Sequence, residues 1–525
     1  MPAAATPLAG VEAALARAAE VNPVVNALCL VDAEAARARA RELEVRLERG
    51  EDTGPLTGWT FTVKDAMRQA GYPCTAGSRA LMGEIPDAST ACVARLEAAG
   101  AIAIGRSNVP EFCYRGTTRN ELYGQTGNPF APDRSAGGSS GGAASALALG
   151  VGNLALGSDG GGSIRIPASF CGTVGLKPSY GLVPRAPDSA GWLLLTHFGP
   201  LTRTVAECAQ ALAVMAGPNP LDPLCLPALG RDYEAAARDP GDLSGLRVAY
   251  SDDLGYIRLD REVRERFAEA VAAFSQATGA ALEQAHPGLD SPLDVWNDIA
   301  CGDNSASEGP LLASGLVGDD ARALIEAGQG LSAEAYVRAR NRAHEIAGAW
   351  AAFHARYDLL LTPTMECVAF PLSDWAPREL DGQAIGEFYD DYCHFCYPFN
   401  LTGQPVISVP MSPGSGGLPL GLQIAGRRFE DDLVLRAAAA WERARPWDSP
   451  SLPSSVALRS PPPEVAVAAA AGHSVATVAG VEAWSLDASL RAGMLIGLPG
   501  GGCARIVRAW SPRAGALEVS FQVEA

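Results

Sequence analysis

Lysine is nearly absent from this chain. Lys64 and Lys177 are the only two among the 41 basic residues of 525. Histidine is scarce too, with six. His394 sits between Cys393 and Cys396, which raises a metal site, but no tetrahedral ligand set at suitable spacing completes it. The twelve cysteines are scattered along the chain, pointing to buried thiols in a reducing compartment rather than to a disulfide scaffold. No charge-free apolar run reaches membrane-spanning length. The start, Met1–Pro2–Ala3–Ala4–Ala5, has no basic segment leading into a long apolar one, so a cytoplasmic location is expected. A formal net charge of −18 argues against nucleic-acid partners, whose phosphates call for a basic surface, and against attachment to anionic lipid.

What is present suits a large globular core. Apolar residues make up 48% and charged residues 19%, which excludes a disordered chain. Residues 10–47 repeat Ala, Leu, Val, Glu and Arg at helical spacing and read as one or two outer helices. Leu56–Val63 reads as a turn and a short buried strand that ends at Lys64. Further strands are expected at Ala101–Ile104, Val174–Leu182, Leu193–Thr196, Asp358–Pro363, Val406–Pro410 and Leu420–Ile424. Helices are expected at Thr90–Ala99, Ala143–Leu149, 202–216, 259–280, 332–356 and 430–445. Strands interleaved with helices predict an α/β fold with a mixed central sheet flanked by helices.

A boundary falls near Pro446. Residues 448–463 are rich in Pro and Ser and read as a linker. Residues 455–525 carry five arginines and five acidic residues, so the whole negative excess belongs to residues 1–454. The ending alternates, with Leu517, Val519, Phe521 and Val523 on one side of a strand. A main domain at 1–447 and a small β-rich appendage at 464–525 are therefore expected.

The retained lysine has a chemical reason. Arginine cannot be deprotonated in a protein, whereas a buried lysine can shed its proton and act as a base. Downstream come Gly137–Gly138–Ser139–Ser140–Gly141–Gly142 and Gly160–Gly161–Gly162–Ser163–Ile164–Arg165. Neither ends in Gly–Lys–Ser/Thr, which excludes a P-loop, and neither fits the dinucleotide fingerprint; no cofactor is expected. Successive N–H groups without Cβ atoms can converge on one developing negative oxygen. Ser163, at the end of that turn, is placed to attack a carbonyl carbon, and a serine hydroxyl needs a neighbour to take its proton. No Gly–x–Ser–x–Gly elbow with a histidine partner is evident. Lys64 is then the candidate base, with Ser139 as relay.

The run Ala136–Ala143, then Leu156–Pro167, then Cys171–Pro178 closely resembles the amidase signature family. Val63–Asp65, Gly105–Phe112, Thr126–Pro129, Gly199–Arg203, Asn400–Pro405 and Gly421–Ile424 agree as well, so the resemblance covers roughly 10–447. It implies a Ser–Ser–Lys triad. Ser163 would be the nucleophile that forms an acyl-enzyme, Ser139 the serine preceded by a cis peptide bond, 24 residues earlier, and Lys64 the base. The N–H groups of Gly160, Gly161, Gly162 and Ser163 would form the oxyanion hole, where one lost donor costs roughly 3 kcal/mol in the barrier. Asp159 and Arg165 would hold the turn, Ser140 would support the lysine, and Lys177 would enter a structural salt bridge. One departure stands out: three glycines follow Asp159 where the family often has a Thr- or Ile-like residue first, so a looser loop is expected.

The resemblance implies an amidohydrolase acting on a small-molecule carboxylic amide. Carbamate, urea or hydrazide hydrolysis would use the same triad. So would the glutaminase component of a tRNA-dependent amidotransferase, which needs a partner chain and an ammonia path. Trp192, Leu194 and His197 are candidates for an acyl pocket, along with Leu193, Leu195, Trp296, Phe370, Trp375, Phe388, Tyr389, Tyr392, Phe395 and Tyr397. Their convergence near Ser163 would favour an aryl or apolar acyl group. The appendage covers the site, stabilises a homodimer, or does neither; the sequence leaves this open.

Overall fold

The computed structural model describes residues 6–187, 191–386, 392–448 and 450, with the backbone of four short strands farther along. Its frame is an eleven-stranded sheet. The strands in chain order are β1 Leu28–Val31, β2 Thr60–Lys64, β3 Ile102–Ser107, β4 Leu154–Asp159, β5 Val174–Lys177, β6 His197–Thr202, β7 Arg247–Tyr250, β8 Ala281–Gln284, β9 Leu359–Pro363, β10 Val406–Pro413 and β11 Pro419–Gly426. Side by side they run β1-β3-β2-β4-β6-β5-β10-β11-β9-β7-β8. β2 is parallel to β3 and β4, and β7 to β8 and β9; the other neighbours are antiparallel.

The central strands explain where the site falls. β2 is Thr-Phe-Thr-Val-Lys, β-branched and aromatic, and buried at every position, as a strand covered on both faces requires. Phe61 pairs with Leu154 and Thr62 with Ala155, so β2 and β4 end at the same edge of the sheet. That edge, beyond the carboxyl ends of parallel strands, is where open α/β sheets carry their crevices.

Alternate residues of β4 enter different packing layers. Leu154 and Leu156 join Val205, Cys208 and Leu212 of the helix Val205–Met215. Ala155 joins Ala143, Ala144 and Leu147 of the helix Gly141–Ala148. Successive side chains of a strand face opposite ways, so these helices cover opposite faces. All eight residues of Gly141–Ala148 are buried, and a Cβ on Gly142 would collide with the backbone of Ala27 and Asn108. A run of glycine and alanine is what lets that helix enter the core. The helices Pro7–Val25 and Ala33–Glu48 pack on Leu28, Ile102 and Ile104.

Expected elements recur as Ala91–Ala98, Arg261–Thr278, Ala333–Arg356 and Asp431–Ala444 among the helices. Two helices stand where 10–47 predicts one or two, one expected strand is corrected, and two further helices appear. The strand β1 interrupts the helical stretch 10–47 after the left-handed Asn26. Leu193–Thr196 is a turn, in which the N–H groups of Leu195 and Thr196 both donate to Trp192 O, and β6 begins only at His197. The helices Leu293–Glu308 and Asp319–Gln329 were not expected.

A second sheet, near the C-terminal end, holds β12 Ser474–Ala476, β13 Leu495–Gly497, β14 Cys503–Ala509 and β15 Val519–Glu524. It is antiparallel throughout, in the order β12-β15-β14-β13. This is the small β-rich region the alternating ending predicts; nearly all of the Pro/Ser-rich stretch lies outside the described residues. Among the described residues no helix is long and apolar enough to cross a membrane. No group of three or more His, Cys, Asp and Glu there is placed to hold a metal ion.

Candidate active site

The last residue of β2, Lys64, is fully buried. Its Nζ donates to Ser139 Oγ at 2.7 Å. It also donates to Ser158 Oγ at 2.9 Å and Ser158 O at 3.2 Å. Ser139 precedes the helix Gly141–Ala148, and the Gly138–Ser139 peptide is cis. Burial holds Lys64 below the ordinary lysine range, while Cys113 and Asp159 act in the opposite direction. An amine so placed can be neutral and accept a proton. The serine expected beside it, Ser140, is not its partner: Ser140 Oγ is buried without a hydrogen bond, while its N–H donates to Ser163 O at 3.1 Å. Ser158 takes that place, and the motif's other serines hid it in the sequence.

The turn after β4 is pinned from several sides. Asp159 Oδ1 accepts from Gly162 N at 2.8 Å, Arg165 Nη2 at 2.8 Å and Asn400 Nδ2 at 2.9 Å. Asp159 Oδ2 accepts from Ile164 N at 3.2 Å and Arg165 Nε at 2.9 Å. Arg165 also donates to Cys396 O, Gln423 Oε1 and Asn400 Oδ1. Both charges are fully buried, and only such complete pairing offsets their loss of water. Burial alone would raise the Asp159 carboxyl, but the Arg165 guanidinium, with help from Lys177 and Asn400, holds it far below the usual carboxylate range.

Two peptide planes of the turn are fixed by their carbonyls. Asn400 Nδ2 donates to Asp159 O at 2.8 Å, and Trp296 Nε1 to Gly160 O at 2.9 Å. A trans peptide points its N–H opposite its C=O, so the N–H groups of Gly160 and Gly161 face away from these anchors. One expected donor is removed: the Gly162 N–H is given to Asp159. Among the described residues the N–H groups of Gly160, Gly161 and Ser163 carry no such partner. Gly162 has φ +125°, and a Cβ there would lie 2.6 Å from Cys396 Cβ. The third glycine also has a reason. A Cβ on Gly160 would collide with the ring of Trp192, so this chain exchanges a side chain at 160 for a tryptophan packed on the turn. The loop is held, not loose.

Ser139, Ser158, Gly160 and Ser163 line one cleft of about 430 Å³. Phe112, Tyr114, Trp192 and Phe198 supply its aromatic walls, with Leu81 and Leu311. Trp192 and Tyr114 stack with centroids 6.1 Å apart and planes 4° from parallel. Trp192 has φ +46°, and its indole N–H donates to Asn304. Asn304, Ser307 and Glu308 line the cleft from one face of the helix Leu293–Glu308. That helix is polar and glycine-containing, and its contacts come from residues far away in sequence, so nothing local announced it.

Of the expected pocket residues, Trp192 lines the cleft and Leu194 and His197 do not. His197 points elsewhere: its ring packs edge-on against Tyr180, and Nδ1 meets Leu195 O at 2.8 Å. Trp296 acts from behind the turn. Phe370 and Tyr392 pack in a separate core cluster, Tyr397 packs against Trp296, and Phe395 joins the main core. Trp375 is covered by the guanidinium of Arg119, and Phe388 and Tyr389 lie outside the described residues. Lys177 enters no ion pair among the described residues. Its Nζ meets the carbonyls of Gln404 and Pro178, and burial pushes it well below the ordinary lysine range.

Residues 9–435 match the family model described as Amidase. The chain is 40% identical over 441 residues to an acylamidase of Rhodococcus erythropolis, covering 83% of this chain and 91% of that protein. It is 34% identical over 469 residues to one component of the glutamyl-tRNA(Gln) amidotransferase of Roseiflexus sp. (strain RS-1), covering 84% and 94%. It superposes on the crystal structure of a bacterial aryl acylamidase with a TM-score of 0.78 and 30% identity, covering 84% and 94%. The chain belongs to the amidase signature family and is a hydrolase acting on amide C–N bonds.

Proposed function

We propose that the protein cleaves carboxylic amides with an aryl or apolar acyl group, or anilides, through a seryl acyl-enzyme. The observation that carries this reading is the buried Lys64 Nζ, 2.7 Å from Ser139 Oγ, in the cleft that Ser163 also lines. Neutral Lys64 takes a proton by way of Ser139 as Ser163 Oγ bonds to the amide carbon. The oxyanion is met by the N–H groups of Gly160, Gly161 and Ser163. The proton returns to the leaving nitrogen, the C–N bond breaks, and water reverses the route to release the acid. Asp159 and Arg165 hold the turn and transfer no proton. Residues 1–447 form the catalytic unit, joined by the Pro/Ser-rich stretch to the small sheet.

The stacked Tyr114–Trp192 pair, Phe112 and Phe198 favour an aryl or apolar group in the cleft. The likeness to an acylamidase and an aryl acylamidase points the same way. The likeness to an amidotransferase component supports a second reading, as the glutaminase of a larger complex, and carbamate or urea substrates remain compatible with the same groups. A panel of anilides, aliphatic amides, carbamates and glutamine tests the choice: kcat/KM is expected to be highest for anilides and aryl amides in the purified chain alone. Turnover of glutamine only with a second, copurifying chain would overturn it.

A further inference from the structure

The far wall of the cleft carries a carboxyl that the hydrolysis does not use. Glu308 lines the cleft at the end of the helix Leu293–Glu308, and its Oε2 accepts from Tyr114 Oη at 2.7 Å. No guanidinium or ammonium lies within ion-pair distance of it among the described residues. Burial pushes its carboxyl up to about 7, and the neighbouring Asp303 pushes in the same direction. Asp303, five residues earlier, accepts from Tyr336 Oη at 2.7 Å. The two arginines that line the cleft are occupied: Arg185 donates to the carbonyls of Gly191 and Leu193, and Arg68 lies near Glu84 and Asp87. Tyr114 reaches Glu308 with the hydroxyl at its ring edge, and its ring stacks on Trp192, which lines the same cleft. A partly buried carboxylate without a cation is costly, and the aromatic rings lining the same cleft attract positive charge at their faces.

We infer that Glu308, Tyr114 and Trp192 form a subsite for an ammonium group, so that the preferred substrates are amides bearing a protonated amine. This deepens the reading given above and rests on the same cleft. An incoming ammonium supplies the missing counter-charge, donates to the carboxylate and meets the aromatic lining of the cleft. Removing water from such a pair strengthens the attraction. Glu308 is a specificity-determining residue and takes no part in moving the proton. Tyr114 fixes the carboxylate's orientation, and the indole of Trp192 is fixed in turn by Asn304.

Two isosteric pairs test this: 5-aminopentananilide against hexananilide, and 4-(aminomethyl)acetanilide against 4-ethylacetanilide. They place the ammonium on the acyl side and on the amine side. In the wild type at least one ammonium member is expected to have a kcat/KM about tenfold or more above its neutral isostere. In Glu308→Gln that ratio is expected to fall by about tenfold, chiefly through KM. Calorimetric binding of benzylammonium chloride to the full chain gives a readout that needs no turnover. The wild type should bind it, and Glu308→Gln about tenfold more weakly. Equal rates within both pairs, or a ratio and a benzylammonium affinity unchanged by Glu308→Gln, would overturn the subsite. Failure to hydrolyse any amide would instead strike the catalytic reading, and the binding measurement would still decide the subsite. Glu308→Asp, which keeps the charge and shortens the reach, should retain part of the preference; a loss as complete as in the glutamine variant would mark a purely structural role.

Discussion

Asp159→Asn removes one charge from a pair with Arg165 that has no water-exposed surface. The two oxygens of Asp159 accept from Gly162 N, Ile164 N, Asn400 Nδ2 and two guanidinium N–H groups of Arg165. Asparagine keeps one oxygen and puts an amide NH₂ where the other stood, so donor meets donor whichever way it turns. Arg165 is left buried and uncompensated, a change that costs about 3–5 kcal/mol. Urea unfolding should show this loss as a lower midpoint with an unchanged slope. The pH dependence follows from the sign of the shift. The folded carboxyl is held below its unfolded value, so its contribution is complete above about pH 4 and fades only as pH falls toward the folded value. The gap between wild type and variant should therefore stay constant from about pH 5 to 8 and close only in stronger acid. Arg165→Met should cost a similar amount, and the double variant clearly less than the sum, because it leaves no orphan charge. A loss below about 1 kcal/mol for Asp159→Asn, or strict additivity, would refute the claim that this pair holds the turn.

Other consequences concern the reacting groups. Because burial lowers the Lys64 pKa, kcat/KM for an anilide should rise with pH and level off below the ordinary lysine value of about 10.4; a rise continuing past that value would contradict a depressed lysine. Gly162→Ala places a Cβ against Cys396 Cβ on a backbone with φ +125°. It should lower kcat by about 100-fold or more while KM moves little, as expected when oxyanion donors are displaced. Trp192→Ala opens the wall above Gly160 and should raise KM for aryl substrates more than for short aliphatic amides; an equal change in both would remove Trp192 from substrate contact.

Much of the frame was legible before any coordinate. Thr60–Lys64 reads as a buried strand because β-branched and aromatic residues run without a polar break, and the long helices announce themselves by apolar spacing. The approach of Lys64 to Ser139 could be expected only because the glycine-serine runs match a family pattern; the two residues are 75 apart in sequence. What escaped depends on distant partners. Leu193–Thr196 carries strand-forming leucines, yet the left-handed Trp192 bends it into a turn that caps Gly160. His197 lies next to that turn in sequence, and strand alternation sends its ring toward Tyr180. The helix Leu293–Glu308 holds Asn, Ser, Gly and Asp, weak helix formers, and gains its place by packing over the cleft. Spacing cannot show that the Gly162 N–H is already given to Asp159.

Reaction of the intact protein with a fluorophosphonate, followed by peptide mapping, tests the central claim that Lys64 activates Ser163 through Ser139. Labelling is expected at Ser163 alone, to vanish in Ser163→Ala, and to slow by about 100-fold or more in Lys64→Arg, which keeps the charge and removes the base. Labelling of Lys64→Arg at the wild-type rate, or undiminished labelling of Ser163→Ala, would contradict it.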